Sequence, residues 1–241
     1  MSIMRHMARR KRKKGERTGN GIMEKITLNL PGADDYFTQE AYKVLRTNLQ
    51  FCGQNFQIIA VTSCDENEGK TTVTLQLARS LAELGKHVLV IDTDMRKSVM
   101  AGRNTNAKDV VGLSEALTGM TSLASAIYTT QYPTLQLIFA GKYPPNPVEL
   151  LSGKYFTALL AEARKHYQYV ILDTPPLGRV IDAAVVATHC DGTILVIGDT
   201  NVRRRRAQNV VEQLRKSGSK ILGVVRNNTK RKAKSGYYHY G

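Results

Sequence analysis

Residues 56–86 read FQIIAVTSCDENEGKTTVTLQLARSLAELGK. An apolar run, FQIIAVTS (56–63), gives way to a polar turn, CDENEGKTT (64–72), and then to an amphipathic stretch, TTVTLQLARSLAELGK (71–86), closed by Gly85. A short apolar run bounded by turn residues predicts a buried strand, and apolar residues returning every three or four positions predict a helix. The stretch is therefore a strand, a turn and a helix. The first N–H groups of a helix have no partner within it, and the helix dipole is positive at that end, so a turn of this kind binds phosphate. Lys70 is placed to reach β- and γ-phosphates, and the Thr71 hydroxyl to ligate Mg²⁺. Gly69 leaves room for the backbone to approach the phosphates. Asn67, Glu68, Gly69, Lys70, Thr71 and Thr72 are the expected nucleotide contacts. The full pattern G-x-x-x-x-G-K-[ST] has glycine where this chain has Cys64.

The same alternation repeats on both sides of this stretch. TQEAYKVLRTNLQ (38–50) puts Ala41, Leu45 and Leu49 at helical spacing, with Thr38 as a candidate cap. Strands are expected at HVLVIDTD (87–94), TLQLIFAG (134–141), YVILDTPP (169–176), GTILVIGD (192–199) and KILGVVRN (220–227). Helices are expected at GLSEALTG (112–119), VIDAAVVATHC (180–190) and RRRRAQNVVEQLRKSG (203–218), and one long helix at PVELLSGKYFTALLAEARKH (147–166), with Pro147 in its first turn. Short apolar strands alternating with helices predict an α/β fold: one domain, a parallel central sheet, helices on both faces. No internal repeat is present.

Two strand ends carry acids: VLVIDTDMR (88–96) ends in Asp92 and Asp94, and VILDTPP (170–176) in Asp173. In an open parallel sheet the carboxyl ends of the strands line the ligand crevice. Three carboxylates converging there beside Lys70 and Thr71 make a Mg²⁺–nucleotide site. Asp92 and Asp94 fall on the same side of the strand. A lone strand-end aspartate reads as a helix cap, but three strain that account.

The 241 residues suffice for one domain with a large core, and 42% hydrophobic against 23% charged residues excludes a disordered chain. No run reaches the roughly 18 to 20 apolar residues of a membrane-spanning helix, and no apolar segment follows the basic N-terminus as in a secretory signal. Cys52, Cys64 and Cys190 form neither a metal pattern nor a disulfide framework, which suits a reducing cytosol. Of the net charge of +15, residues 1–25 carry +7 and residues 226–241 carry +5. Basic ends on a nearly balanced core argue against a nucleic-acid groove across the fold and favour tails near anionic lipid. A basic, mobile arm is expected over 1–35, a domain over 36–227, and a mobile tyrosine-rich tail over 228–241.

EGKTT, VLVIDTDMR and VILDTPP resemble the Walker A, Walker A′ and Walker B motifs of the bacterial tyrosine kinases, most closely the cytoplasmic CpsD/CapB type of capsular polysaccharide loci. The resemblance covers about residues 36–227 and includes EAYKVLRTNLQF (40–51), RKSVMAG (96–102), GLSEAL (112–117), PPNPVELL (144–151) and LGVVRN (222–227). It implies a P-loop NTPase fold, a three-layer sandwich, using ATP and Mg²⁺. Lys70 would contact β/γ-phosphates. Thr71, Asp92, Asp94 and Asp173 would hold the metal, with Asp92 favoured as base toward a tyrosine hydroxyl. Arg203 would meet nucleotide. The C-terminal cluster Tyr237, Tyr238 and Tyr240 would be autophosphorylated in trans.

The resemblance also implies a homo-oligomeric ring built through an E-x-x-R-x-x-R helix, here Glu40, Lys43 and Arg46. Lysine at 43 keeps charge but loses the bidentate fork of arginine. A membrane polysaccharide co-polymerase with an activating cytoplasmic segment is the implied partner. That partner places a cytoplasmic chain at the inner face of the membrane. Glu66-Asn67 stand where family members often have Pro-Gly, and two acids near phosphate, Asp65 and Glu66, are expected to weaken nucleotide binding. Two alternatives share the motifs: a ParA/MinD-like ATPase switch, which would carry a lysine where this chain has Asp65, and a nucleotide-binding scaffold without turnover.

Overall fold

In a computed structural model, residues 24–53, 55–107, 109–198 and 204–227 are described. Seven strands make one sheet: β1 (Ile58–Ser63), β2 (Val88–Asp92), β3 (Ile127–Thr129), β4 (Leu135–Ile138), β5 (Tyr169–Asp173), β6 (Gly192–Gly198) and β7 (Ile221–Asn227). Their order is β3-β4-β2-β5-β1-β6-β7. Every pairing is parallel except β3 with β4. The helices are α1 (Tyr36–Phe51), α2 (Lys70–Ala82), α3 (Met100–Asn104), α4 (Leu113–Leu117), α5 (Pro147–Ser152), α6 (Lys154–His166), α7 (Asp182–Ala187) and α8 (Arg204–Lys216).

Side-chain alternation along the strands sorts the core into two faces. Ile59, Val61, Val90 and Ile171 pack under α2 with Val73, Leu77 and Leu81. Ile58, Leu89, Ile91 and Leu172 face the other way, against Phe156 and Leu160 of α6. Strands buried on both faces are continuous apolar runs, which is why β1, β2 and β5 are plain in the sequence. A smaller cluster joins Leu177 and Ala183 to Val210 and Leu214 of α8.

Four expectations are corrected. The helix predicted over 147–166 is two helices. Gly153 is extended, at ψ 159°, and serves as both the end of α5 and the start of α6. Glycine is a poor helix former, and the break lets α6 lie on the sheet while α5 packs on α7. Thr38 does not cap α1. Asp35 does, its Oδ2 accepting from Thr38 N at 2.8 Å and from the Thr38 hydroxyl at 2.8 Å. The sheet is not wholly parallel, because β3, absent from the sequence reading, adds antiparallel to the edge.

The last third of the expected arm, residues 24–35, is part of the domain. Ile26, Leu28 and Leu30 are buried, alternating with polar residues in ITLNL (26–30). Lys25 bridges Thr129 and Leu28 bridges Thr105. Ile26 N donates to Thr129 O at 2.9 Å, and Gln131 holds both the N–H and the carbonyl of Leu28 at 2.8 and 2.9 Å. A strand-like alternation of five residues was hidden behind a basic run. The rest of the arm, 1–23, lies outside the described residues, as does the tail 228–241.

Candidate active site

Three neighbouring strands deliver the site. β1 sits between β5 and β6, and β5 between β1 and β2. The register sets Asp92 directly opposite Asp173 and Val61 opposite Asp173, so the end of β1, where the phosphate loop begins, lies beside both carboxylates. Asp92, Asp94 and Asp173 are all buried, exposing 1%, 4% and 2%.

The loop from Cys64 to Gly69 makes its turn with two left-handed residues, Asn67 at φ 60° and Gly69 at φ 86°. Asparagine tolerates that region better than most residues, and glycine adopts it without steric cost. Gly69 is the cap position of α2 and makes no side-chain cap bond, leaving the helix's first N–H groups for an anion. A Cβ at Gly69 would stand 1.9 Å from Asn227 Nδ2, which donates to Glu68 O at 3.0 Å. Thus the last residue of β7 closes over the loop. The Glu68 carboxylate braces the loop from within. It accepts from Asp65 N at 2.7 Å and from Gly198 N at 3.3 Å.

Lys70 Nζ lies 3.5 Å from Asp94 Oδ2. Thr71 donates its hydroxyl to Asp173 Oδ2 at 2.6 Å, and Thr74 reaches Asp173 Oδ1 at 3.4 Å. Asp92 Oδ2 accepts a very short bond from the Ser98 hydroxyl, and its Oδ1 accepts from Asp94 N at 3.0 Å. Asp94 Oδ1 accepts from Lys97 N at 3.0 Å, leaving Oδ2 toward Lys70. Asp94 therefore spends one oxygen on the turn that follows β2 and turns the other toward Lys70, whereas both Asp92 oxygens accept bonds from that turn. The capping and ligand roles coexist.

The charges explain the titration. Burial, then the Asp173 carboxylate, push the Asp92 carboxyl up to about 8, against the Ser98 bond. Burial also raises Asp173, with Lys70 and Thr71 pulling the other way. Burial alone would lower the Lys70 ammonium, but Asp173, Asp94 and Asp92 outweigh it and hold it above its usual range. A lysine kept cationic among crowded carboxylates, two of them pushed upward in titration by burial, is a site short of positive charge. Among the described residues no three His, Cys, Asp or Glu side chains converge tightly enough to cage a metal alone. A hydroxyl and carboxylates on one side, with room for phosphate oxygens on the other, fit Mg²⁺, which takes oxygen ligands and keeps several of its waters.

Lys70, Thr71, Asp92, Asp94 and Asp173 are brought together as expected. Thr72 follows them in the first turn of α2. The acids of the loop are paired with cations. Asp65 is paired with Arg179 at 2.6 Å and with Arg206, and Glu66 with Lys97 at 2.6 Å. Ser98, Asn227, Arg179 and Arg206 were missed, because their partners lie 6 to 159 positions away. Arg203 and Tyr237, Tyr238 and Tyr240 lie outside the described residues. On α1, Glu40 and Lys43 pair with one another at 2.7 Å. Arg46 turns inward, donating to Ser80 O at 2.7 Å and Ser80 Oγ at 3.1 Å, so it ties α1 to α2.

Residues 56–217 match the AAA domain family. The chain is 41% identical over 190 residues to the Streptococcus agalactiae tyrosine-protein kinase CpsD, covering 79% of this chain and 83% of that one. It is 36% identical over 204 residues to the Bacillus subtilis tyrosine-protein kinase YwqD, covering 84% and 86%. The kinase domain of the Escherichia coli tyrosine kinase ETK superposes with a TM-score of 0.80 at 31% identity, covering 96% of this chain and 89% of that one. With a phosphate loop, its acidic strand ends and these relatives in agreement, the chain belongs to the bacterial tyrosine-protein kinases built on a nucleotide-binding P-loop fold.

Proposed function

We propose that the chain transfers the γ-phosphoryl group of Mg-ATP to protein tyrosine, chiefly to Tyr237, Tyr238 and Tyr240 of a second copy, and thereby regulates capsular or exopolysaccharide synthesis. The observation that carries the reading is the pairing of Lys70 with Asp94 and of Thr71 with Asp173 at the ends of neighbouring strands, around one helix N-terminus.

The N–H groups of α2 and the Lys70 ammonium receive the β- and γ-phosphates. Thr71, Asp173, Asp92 and Asp94 would provide oxygens for Mg²⁺, which when bound would neutralise charge on the phosphates. The tyrosine oxygen attacks the γ-phosphorus, a P–O bond forms to the phenol, the β–γ bridge bond breaks, and ADP leaves. Asp92 takes the phenolic proton. Ser98 keeps that carboxylate oriented by its bond to Oδ2.

Each phosphotyrosine adds about −1.5 to −2 charges at neutral pH. Against a tail of +5, a few such events invert its charge and release it from a neighbour's acidic site, loosening a ring assembled through Glu40, Lys43 and Arg46. The resemblance to the CpsD/CapB type of capsular polysaccharide loci supports a membrane co-polymerase as partner, and the basic ends support a position at the membrane's inner face. Among the described residues no helix is long and apolar enough to cross a membrane.

The test is to incubate the full chain with labelled Mg-ATP, with and without the partner's cytoplasmic segment, and to map the label. Label on Tyr237, Tyr238 or Tyr240 that disappears in Lys70→Met supports the reading. Hydrolysis without phosphotyrosine overturns it.

A further inference from the structure

Asp65 occupies the second position of the phosphate loop, and its carboxylate is gripped by two arginines from distant elements. Arg179, in the loop between β5 and α7, binds Oδ1 at 2.6 Å, and Arg206, in the first turn of α8, binds Oδ2. The Asp65 side chain is about three-quarters buried, at 26% exposure. Both guanidiniums therefore stand at the mouth of the loop, each with one N–H on the Asp65 carboxylate. A guanidinium's fork matches carboxylate and phosphate alike. The β5–α7 loop packs closely on the phosphate loop: a Cβ at Gly178 would lie 2.1 Å from Cys64 O and 3.5 Å from Arg206 Nε. Burial alone would raise the Asp65 carboxyl, but Arg179 and Arg206 outweigh it and hold it lowered and charged.

We propose that Asp65 is an intramolecular stand-in for the nucleotide's phosphates: it holds Arg179 and Arg206 away from the incoming triphosphate and so sets nucleotide affinity below what the loop alone would give. The inference rests on the nucleotide site of the preceding section and concerns binding rather than transfer.

Other groups hold most of the loop's shape; within it the Asp65 carboxylate accepts from Glu66 N at 3.3 Å. The Glu68 side chain holds the backbone N–H groups of Asp65 and Gly198, and Asn227 holds the Glu68 carbonyl. Neutralising Asp65 thus removes a negative charge beside the phosphates and frees two positive ones, and both effects have the same sign.

The test is equilibrium titration of the full chain with ATP and with ADP, with and without magnesium. Asp65→Asn is expected to lower Kd by about three- to tenfold and to steepen its salt dependence. Adding Arg179→Gln and Arg206→Gln to that variant is expected to cancel the gain. Asp65→Ser repeats the test with a smaller neutral side chain, should the asparagine variant fail to fold. An unchanged or raised Kd in a folded neutral variant overturns the proposal. A wild-type chain that takes up no nucleotide sinks the nucleotide site itself. Loss of phosphotyrosine with binding changed as expected leaves the inference standing and fails only the kinase reading.

Discussion

Asp92 and Asp173 face each other across neighbouring parallel strands, in register, both buried and both carboxylic acids. The parallel pairing of β2 with β5 puts them there, and among the described residues the Lys70 ammonium opposes the burial of Asp173. Like charges so placed cannot both ionise freely.

The first prediction follows from that pair. The Asp92 carboxyl is raised to about 8 in the folded chain, against an ordinary value of 3.8. Between those values the folded state holds a proton that the unfolded state has lost, so stability falls as pH rises and levels off above about 8. Asp173, raised by burial, acts in the same direction. His189, lowered by burial, acts in the opposite direction, and its contribution fades as pH rises above the ordinary imidazole value of 6.5. Thermal melts of the nucleotide-free chain from pH 7 to 8.5 should therefore show a declining Tm. Asp92→Asn should flatten the decline, and saturating Mg-ATP should reverse it. A wild-type Tm that rises over this window contradicts the charge account.

A second prediction concerns Gly69 and Asn227. At φ 86°, with Asn227 Nδ2 1.9 Å from where a Cβ would stand, Gly69→Ala meets both backbone strain and a collision. A side chain in the left-handed region costs about 1 to 2 kcal/mol. The variant should fold with modestly lowered stability and lose nucleotide affinity by at least about tenfold. Asn227→Ala removes the colliding amide, so the double variant should recover part of the affinity. Strictly additive losses in the double-mutant cycle would show that Asn227 does not close on the loop.

The third tests Arg96, the basic residue of the second motif. Its guanidinium binds Asp182 at 2.7 and 3.2 Å, and the Asp182 side chain is 1% exposed. Arg96→Ala strands a buried carboxylate and should cost about 3 kcal/mol in a urea unfolding experiment. Arg96→Lys keeps the charge but not the fork, and should lose about half of that. Asp182→Asn combined with Arg96→Ala should cost less than Arg96→Ala alone. If Arg96→Ala leaves stability unchanged while abolishing activity, the arginine serves the reaction and not the fold.

The order of strands and helices and the five residues of the nucleotide site were legible because each depends on a local pattern. A strand buried on both faces must be a run of apolar residues, a phosphate loop must open a helix, and the acids must end strands. Arg46 shows where that stops. Its spacing with Glu40 and Lys43 marks a surface motif, yet its guanidinium turns inward to Ser80, a contact 34 positions away. The split at Gly153 was invisible for a related reason. The apolar spacing runs on through the break, and only the packing of α6 on the sheet and of α5 on α7 decides that the chain must bend there.

By itself the sequence determined the alternation of elements, the phosphate loop and the identity of Lys70, Thr71, Asp92, Asp94 and Asp173, since hydrophobic periodicity and backbone dihedral preference act over a few residues. The tertiary structure alone decided which charges meet. Asp65 and Glu66, read from sequence as obstacles to phosphate, became the partners of Arg179, Arg206 and Lys97. Electrostatic energy depends on distance in space, and separation along the chain does not report it.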